Sequence, residues 1–226
     1  MKQSYNDLVK RIQQFSMTCD IKDENDVVHH FHHGHEYVEI GGLKWATMNV
    51  GAEKPTDNGL YFAWGESNGY SVDQVKKGVK HFIWSDYEHG GVKYNNYDRK
   101  ATLDVEDDGV AVNWGGKWRM PTTTELQTLG NAVTTAWTSD YKSTRVNGMV
   151  CTAKDGSGAE LFFPAAGFCY DGSMYDVGSY GCYWSSSLYS YNVQQVYGLS
   201  FFDVSMDWQN YITRRSGRSL RGVVGE

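Results

Sequence analysis

The chemistry most legible in this chain lies between Tyr183 and Val224, YWSSSLYSYNVQQVYGLSFFDVSMDWQNYITRRSGRSLRGVV. Two kinds of position interleave there. Tyr183, Trp184, Leu199, Phe201, Val204 or Met206, Leu220, Val223 and Val224 make short apolar stretches suited to strands. Between them stand Tyr189, Ser190, Tyr191, Asn192, Gln194, Gln195, Tyr197, Asp207, Trp208, Gln209, Asn210, Tyr211, Ile212 and Thr213, a set without Lys, Glu or Pro. Tyr and Trp offer large, stiff, amphipathic contact area at small entropic cost, and Ser and Asn offer adaptable hydrogen bonds. Lys and Glu lose more rotamer freedom when fixed, and they are depleted at interface centres. The pattern suits a surface that grips another molecule. A polar, loop-rich edge of an all-β domain is the alternative.

Other reactive residue types are present, and each has a plainer account. The run HHFHHGH at 29–35 holds the pairs His30/His32 and His33/His35, which an extended chain points to one face. Three chains around an axis would offer six imidazole nitrogens to a metal ion. No Cys or carboxylate sits at a ligand spacing, however, so the run reads as an exposed polar linker and no metal or cofactor is expected. Asp104, Glu106, Asp107 and Asp108 suit calcium in type, but also a helix start, with Asp104 as cap and Asp107 completing a capping box. The helix start needs no ion and is the reading adopted. The four cysteines, Cys19, Cys151, Cys169 and Cys182, show no regular spacing. They are expected reduced and mostly buried, with a Cys169–Cys182 disulfide left open. There is no Gly-x-Ser-x-Gly elbow, and the Ser, His and Asp residues form no recognisable catalytic set. Nothing singles out a carboxylate pair for glycoside hydrolysis. No enzyme is expected.

The elements that must position the C-terminal stretch are short strands and turns. Aromatic residues make up 15% of the 226 positions, with 25 Gly and only 3 Pro, a balance that favours strands and tight turns over a helical bundle. The net charge of −6 argues against nucleic acid as a partner, and no apolar run is long enough for membrane insertion. The opening MKQSYNDLVKRIQQ has no uninterrupted apolar core, so no secretory signal is expected. Residues 3–16 predict an amphipathic helix. Ser4 and Asp7 form its capping box, and Tyr5, Leu8, Ile12 and Phe15 share one face that must pack on the domain or on copies of itself. CDIKDENDVV then reads as a linker. YVEIGGLKWATMNVG predicts a hairpin turning at Gly41–Gly42. GLYFAWGE at 59–66 reads as a buried aromatic strand, and 67–100 as long surface loops. Thr122 and Glu125 open a helix carrying Leu126 and Leu129, and 133–182 return to strands and turns. The fold expected is α+β: a separate N-terminal arm over 1–36, then one domain over 37–226.

GLYFAWGE, LDVEDDGVAVNWGGKWRMPTTTEL, LFFPAAGF, VGSYGCYWSSSL and the ending RRSGRSLRGV resemble the Fibrobacter-paralogous-type domain of gut Bacteroidetes and their phages. That resemblance covers roughly 37–224. It implies a C-type-lectin-like fold related to the formylglycine-generating enzyme, with short antiparallel strands, two or so helices and long loops. The ending is also similar to that of the variable proteins of diversity-generating retroelements. By that resemblance Tyr183, Trp184, Ser185, Ser186, Ser187, Leu199, Phe201, Arg214, Gly217, Ser219 and Arg221 are scaffold. Tyr189, Tyr191, Asn192, Tyr197, Asp207, Gln209, Asn210, Tyr211, Ile212, Thr213, Arg215 and Ser216 form a ligand-binding face within a variable region of about 183–223, with Trp208 as a further contact. Adenine-directed change of an Asn codon reaches Tyr, Ser, Asp, Ile, Thr and Arg, which are most of these residues. Gln194, Gln195, Gln209, Trp208 and Met206 lie outside that route, either as fixed template residues or as evidence against diversification. The resemblance implies a receptor-binding adhesin at a phage tail-fibre tip, found in the virion or in the cytoplasm before assembly. It would be a homotrimer whose partner is a host cell-surface protein or glycan. A fixed-ligand module and a formylglycine-type oxidase, which needs a reactive cysteine pair, are the alternatives. On the residues alone, Gly217 suits a turn of positive φ, and Arg214 and Arg221 suit ties to carbonyls or buried acids.

Overall fold

The strand Gly181–Leu188 is buried along nearly its whole length, and it explains why apolar residues there do not alternate with polar ones. Tyr183 faces a core containing Trp45, Leu129, Phe163, Leu199 and Phe201, whereas Cys182, Trp184 and Leu188 face a second core with Phe62, Trp64, Val110, Trp118, Val196 and Ile212. A strand covered on both faces loses the alternation of apolar and polar residues, and Ser185 and Ser186 are buried within it. The computed structural model describes residues 4–89 and 92–225.

In chain order, helix α1 (Tyr5–Gln14) precedes strands β1 (Cys19–Lys22), β2 (Val28–His32), β3 (His35–Ile40) and β4 (Leu43–Asn49). The short helices α2 (Val72–Lys76) and α3 (Gly109–Trp114), strand β5 (Trp118–Arg119) and helix α4 (Thr123–Ala132) follow. The rest is β6 (Val133–Thr138), β7 (Gly148–Ala153), β8 (Glu160–Pro164), β9 (Phe168–Tyr170), β10 (Ser173–Tyr175), β11 (Gly181–Leu188), β12 (Gln195–Phe202), β13 (Ser205–Thr213) and β14 (Arg221–Val224). The sheets run β1-β2-β3-β4-β14-β5, β6-β7-β8, β9-β10 and β11-β12-β13, with every named strand pair antiparallel. The architecture is α+β and strand-rich. The last strand enters the largest sheet between β4 and β5, so the two ends of the chain close on each other.

Several local expectations hold. Ser4 accepts from the Asp7 amide, and Thr122 and Glu125 form a reciprocal capping box at α4, which buries Leu126 and Leu129. β3 and β4 turn at Gly41–Gly42, where both glycines have positive φ. Among the four cysteines, none is in a disulfide.

Other expectations are corrected. The helix is shorter than 3–16, and residue 3 lies outside the described residues. Tyr5 and Leu8 are half-buried and Ile12 buried, while Phe15 is 62% exposed beyond the helix end. The boundary at 36/37 falls inside β3, and the supposed linker supplies β1, so the arm is one sheet with the domain. The histidine run is a hairpin rather than an exposed linker. His29 bonds Glu36 at 2.5 Å, His30 bonds Asp20 at 2.8 Å, His32 bonds Gly116 O, and His33 Nδ1 donates to Trp114 O at 2.7 Å. His35 stacks on Trp114 at 4.0 Å. GLYFAWGE is buried as expected, but it joins its neighbours by single bridges, Tyr61 to Tyr70 and Phe62 to Arg218, rather than by a ladder. Within 67–100, Phe82, Tyr87 and Tyr94 are buried anchors.

Asp104 makes no side-chain cap. Asp108 is the cap, accepting from the amides of Val110, Ala111 and Met120 at 2.8–3.1 Å. Asp104, Glu106 and Asp107 do converge. The Lys93 ammonium stands among them, 3.1 Å from Asp104 and 3.4 Å from Glu106 and bonded to Asp107, so the chain itself supplies the cation. Gly217 does not have positive φ. It is needed because Phe82 and the Cys169 Cβ lie where a Cβ would stand, at 2.8 and 2.9 Å.

Candidate ligand-binding face

β12 and β13 pair with Tyr197 opposite Tyr211, and the β11–β12 connection folds back over this pair. Its backbone closes on itself through Asn192 N to Tyr189 O and Gln195 N to Asn192 O. The Asn192 side chain accepts from Gln194 N at 3.0 Å, an Asx turn that fixes the loop. The outcome is a cluster of four tyrosines. Tyr189 lies 4.3 Å from Tyr211, 5.4 Å from Tyr197 and 5.6 Å from Tyr191, ring centre to ring centre, and Tyr197 lies 5.4 Å from Tyr211. These are ordinary aromatic-pair separations. Tyr191 is 88% and Tyr211 49% exposed, so the cluster is a surface feature with large apolar area open to solvent. Burial, then the neighbouring phenols of Tyr211, Tyr189 and Tyr191, push the Tyr197 hydroxyl above its ordinary range, so it stays a neutral donor at physiological pH.

The remaining expected residues divide by the geometry of β13. An irregularity opposite Gly198–Ser200 interrupts the alternation of the strand. Before it, Asp207 is exposed and accepts from Gln209 N at 2.9 Å. Trp208 lies half-buried over α4, where its indole packs so closely on Gly130 that a Cβ there would meet Nε1 at 2.7 Å. Gln209 accepts from Gln127 of α4 at 2.9 Å. Together with Asn131 and Met206 these residues line an open groove of about 660 Å³. Asn210 donates to Ser200 Oγ at 2.9 Å from a half-buried position. Beyond Tyr211, Thr213 and Arg215 reach a separate cleft with Phe168, Tyr170 and Arg218.

Two residues expected on the face are turned inward. Ile212 is 4% exposed, because strand alternation opposes it to Val196 and carries it into the second core. Ser216 is 4% exposed and donates to Thr213 O, closing the turn after β13. Trp208, Gln209 and Asn210 are half-engaged with the protein. The structure brings together Tyr189, Tyr191, Tyr197 and Tyr211, with Asn192 at the rim.

The scaffold beneath is tied by hydrogen bonds. Ser185 donates to Tyr197 O at 2.7 Å, the Trp184 indole to Phe62 O at 2.8 Å, and Tyr183 to Pro164 O at 2.7 Å. Arg214 donates to Tyr94 O and His89 O, both at 2.8 Å, and Arg221 reaches Asn49, Ala46, Thr47 and Phe162. Both arginines are thus ties to carbonyls, with Asn49 as the one side-chain partner. Gly198 is a packing site: a Cβ there would meet Ile212 Cδ1 and Tyr183 O, each at 2.5 Å. Cys169 and Cys182 are fully buried, and burial pushes both thiols up, Cys169 to about 12. That is opposite to what a reactive thiolate needs.

Sequence reasoning missed Phe168, Tyr170, Arg218 and Gln127. Arg218 carries the one usable signal, a third arginine in RRSGRSLR placed between the two that anchor loops. The others come from segments remote in sequence. No protein-family model, no curated protein and no solved structure matches this chain. Among the described residues, no helix is long and apolar enough to cross a membrane.

Proposed function

We propose that this chain is a ligand-binding protein that presents the β12–β13 surface to a macromolecular partner. The observation that carries the reading is the solvent-open cluster of Tyr189, Tyr191, Tyr197 and Tyr211. Four aromatic side chains clustered beneath a closed loop, two of them exposed, are the composition and preorganisation of a paratope. From Asp207 to Thr213 the strand runs roughly 20 Å. Exposed Asp207 and Tyr211 and the loop residues Tyr191 and Asn192 contribute to one surface, which suits a protein or glycan partner.

The particular protein proposed is a variable protein of a diversity-generating retroelement with a C-type-lectin-like fold, acting as a receptor-binding adhesin at a phage tail-fibre tip. The exposure of Tyr191 and Tyr211, both within reach of that codon route, supports it, whereas Ile212 and Ser216, also within reach, are buried. Trp208 and Gln209, which adenine-directed change of an Asn codon does not reach, are packed on α4 and bonded to Gln127. Trp208 and Gln209 act as fixed scaffold, while Tyr191 and Tyr211 are exposed. A homotrimer would multiply modest single-site affinity. The buried, pKa-raised thiols of Cys169 and Cys182 disfavour a formylglycine-type oxidase.

The test compares labelled protein and its Tyr191→Ala/Tyr211→Ala double variant on a panel of intact gut Bacteroidetes cells. The wild type is expected to bind at least one strain, and the variant to lose that binding while its Tm stays within about 3 °C, since neither ring is buried. Equal binding by both proteins, or unfolding of the variant, overturns the assignment of this face.

A further inference from the structure

We propose that the cleft beyond the end of β13, between Arg215 and Arg218, binds the carboxylate of an acidic sugar. The inference rests on the reading of this end of the molecule as a ligand-binding surface, but it concerns a site separate from the tyrosine cluster. Arg218 is 8% exposed, and its Nε and Nη1 have no hydrogen-bond partner. Among the described residues, no ion pair or side-chain hydrogen bond engages it. Its guanidinium instead lies 4.0 Å from the centre of the Phe168 ring and 6.0 Å from that of Trp184. The contrast with its neighbours is sharp. Arg214 and Arg221, also buried, each spread several donors over carbonyl oxygens. A buried cation without acceptors is costly, so an acceptor arriving from outside gains what the fold leaves unmade.

The cleft is shaped for such an acceptor. It has a volume of about 220 Å³ and is lined by Phe168, Tyr170, Thr213, Arg215, Ser216 and Arg218. Arg215 is held over Trp84 and Tyr170 at 5.1 and 5.2 Å and donates to the Tyr170 hydroxyl at 3.2 Å, which leaves most of its fork free. No carboxylate among the described residues pairs with either arginine. Two guanidinium groups match a planar oxyanion with parallel hydrogen bonds. Phe168 and Tyr170 supply an apolar wall, and Thr213 adds a hydroxyl, the usual make-up of a small-ligand pocket. A free inorganic anion would use the arginines but not the rings. The combination points to a carboxylate borne on a ring, and the volume limits the site to about one sugar residue.

The full chain is titrated calorimetrically at low salt with glucuronate, glucose and sodium sulfate. Glucuronate is expected to bind at least tenfold more tightly than either of the others. Arg215→Gln should weaken glucuronate at least tenfold with an unchanged Tm, and Arg218→Gln should abolish it. Because Arg218 is buried and its variant can fail to fold, Arg215→Gln carries the test alone if necessary. The Tyr191→Ala/Tyr211→Ala variant should bind glucuronate as the wild type does. Glucuronate binding no tighter than glucose overturns the site, as does unchanged binding in Arg215→Gln. Sulfate binding equal to glucuronate would make it a simple anion sink and overturn the sugar. If the tyrosine variant loses cell binding while the wild type ignores glucuronate, the cleft fails and the tyrosine face stands. If glucuronate binds and cell binding survives the tyrosine changes, the face fails and the cleft stands.

Discussion

Four arginines stand within eight positions, and surroundings rather than residue type decide what each does. Arg214 and Arg221 tie carbonyls, Arg215 lies over Trp84 and Tyr170, and Arg218 lies over Phe168. Arg221 sends Nε to Asn49 Oδ1 at 3.0 Å, Nη1 to Ala46 O and Thr47 O, and Nη2 to Phe162 O at 2.9 Å, thereby clamping β14 to β4 and β8. Burial pushes its pKa down to about 10, which still leaves it a cation at neutral pH. Arg221→Met would keep the apolar stem and leave three carbonyls and an amide oxygen without that donor. At about 1–3 kcal/mol for each buried group left unsatisfied, with partial relaxation, a loss of about 3 kcal/mol or more is expected in urea unfolding. Tyr191→Ala, by contrast, should change stability by no more than about 0.5 kcal/mol, because the ring is open to solvent. A Tyr191→Ala variant that unfolds as readily as Arg221→Met would place that ring in the core and remove it from the face.

At the scale of elements, the β2–β3 hairpin joins the first strands to the rest of the domain through histidines, and one of them predicts a pH dependence. His35 stacks on Trp114 and meets Trp118 edge-on. Burial, and then the nearby His33, lowers its pKa from the ordinary 6.5 to about 4. The folded state therefore holds His35 neutral where the unfolded chain would protonate it. Its contribution is intact above pH 6.5 and is lost progressively as pH falls toward 4, by up to about 3 kcal/mol. Thermal melts at pH 7 and pH 4.5 should show this fall, and His35→Phe should flatten it while preserving the stack. Identical pH slopes in the two proteins would show that some other group governs acid stability. The capping box Thr122–Glu125 and the turn at Gly41–Gly42 were readable in advance because their determinants sit within a few residues of each other. The histidine hairpin was not, because its partners are carbonyls of Trp114 and Gly116, more than eighty positions away.

For the whole molecule, β14 closes between β4 and β5, and the segment leading into it joins β11 through the bridge of Tyr183 to Ser219, so the sheet β11-β12-β13 is tied to the largest sheet. Under the proposed function, codons for about 183–223 compared across isolates should differ only at adenines of a nearby template copy. The changes should fall on Tyr189, Tyr191, Tyr197, Tyr211 and Arg215 and spare Trp208 and Gln209. An invariant stretch with no template would leave a binding protein of fixed specificity. Light scattering on the full chain should give three times the mass of 25.6 kDa if the homotrimer is right, and a monomer at micromolar concentration would refute it.

The sequence by itself determined the α+β, strand-rich character, the capping box at Thr122 and the turn at Gly41–Gly42, and the chemical type of the candidate face, since these are written in composition and short-range spacing. Tertiary structure alone decided which of those residues reach solvent. The irregularity in β13 and the pairing of Ile212 with Val196 turn that side chain inward, and helix α4 claims Trp208 and Gln209. Arg218 acquires significance only once the fold has buried it beside Phe168 without an acceptor. Residue type sets what a side chain can do. Burial and partners arriving from distant segments set what is left for it to do, and no local pattern encodes them.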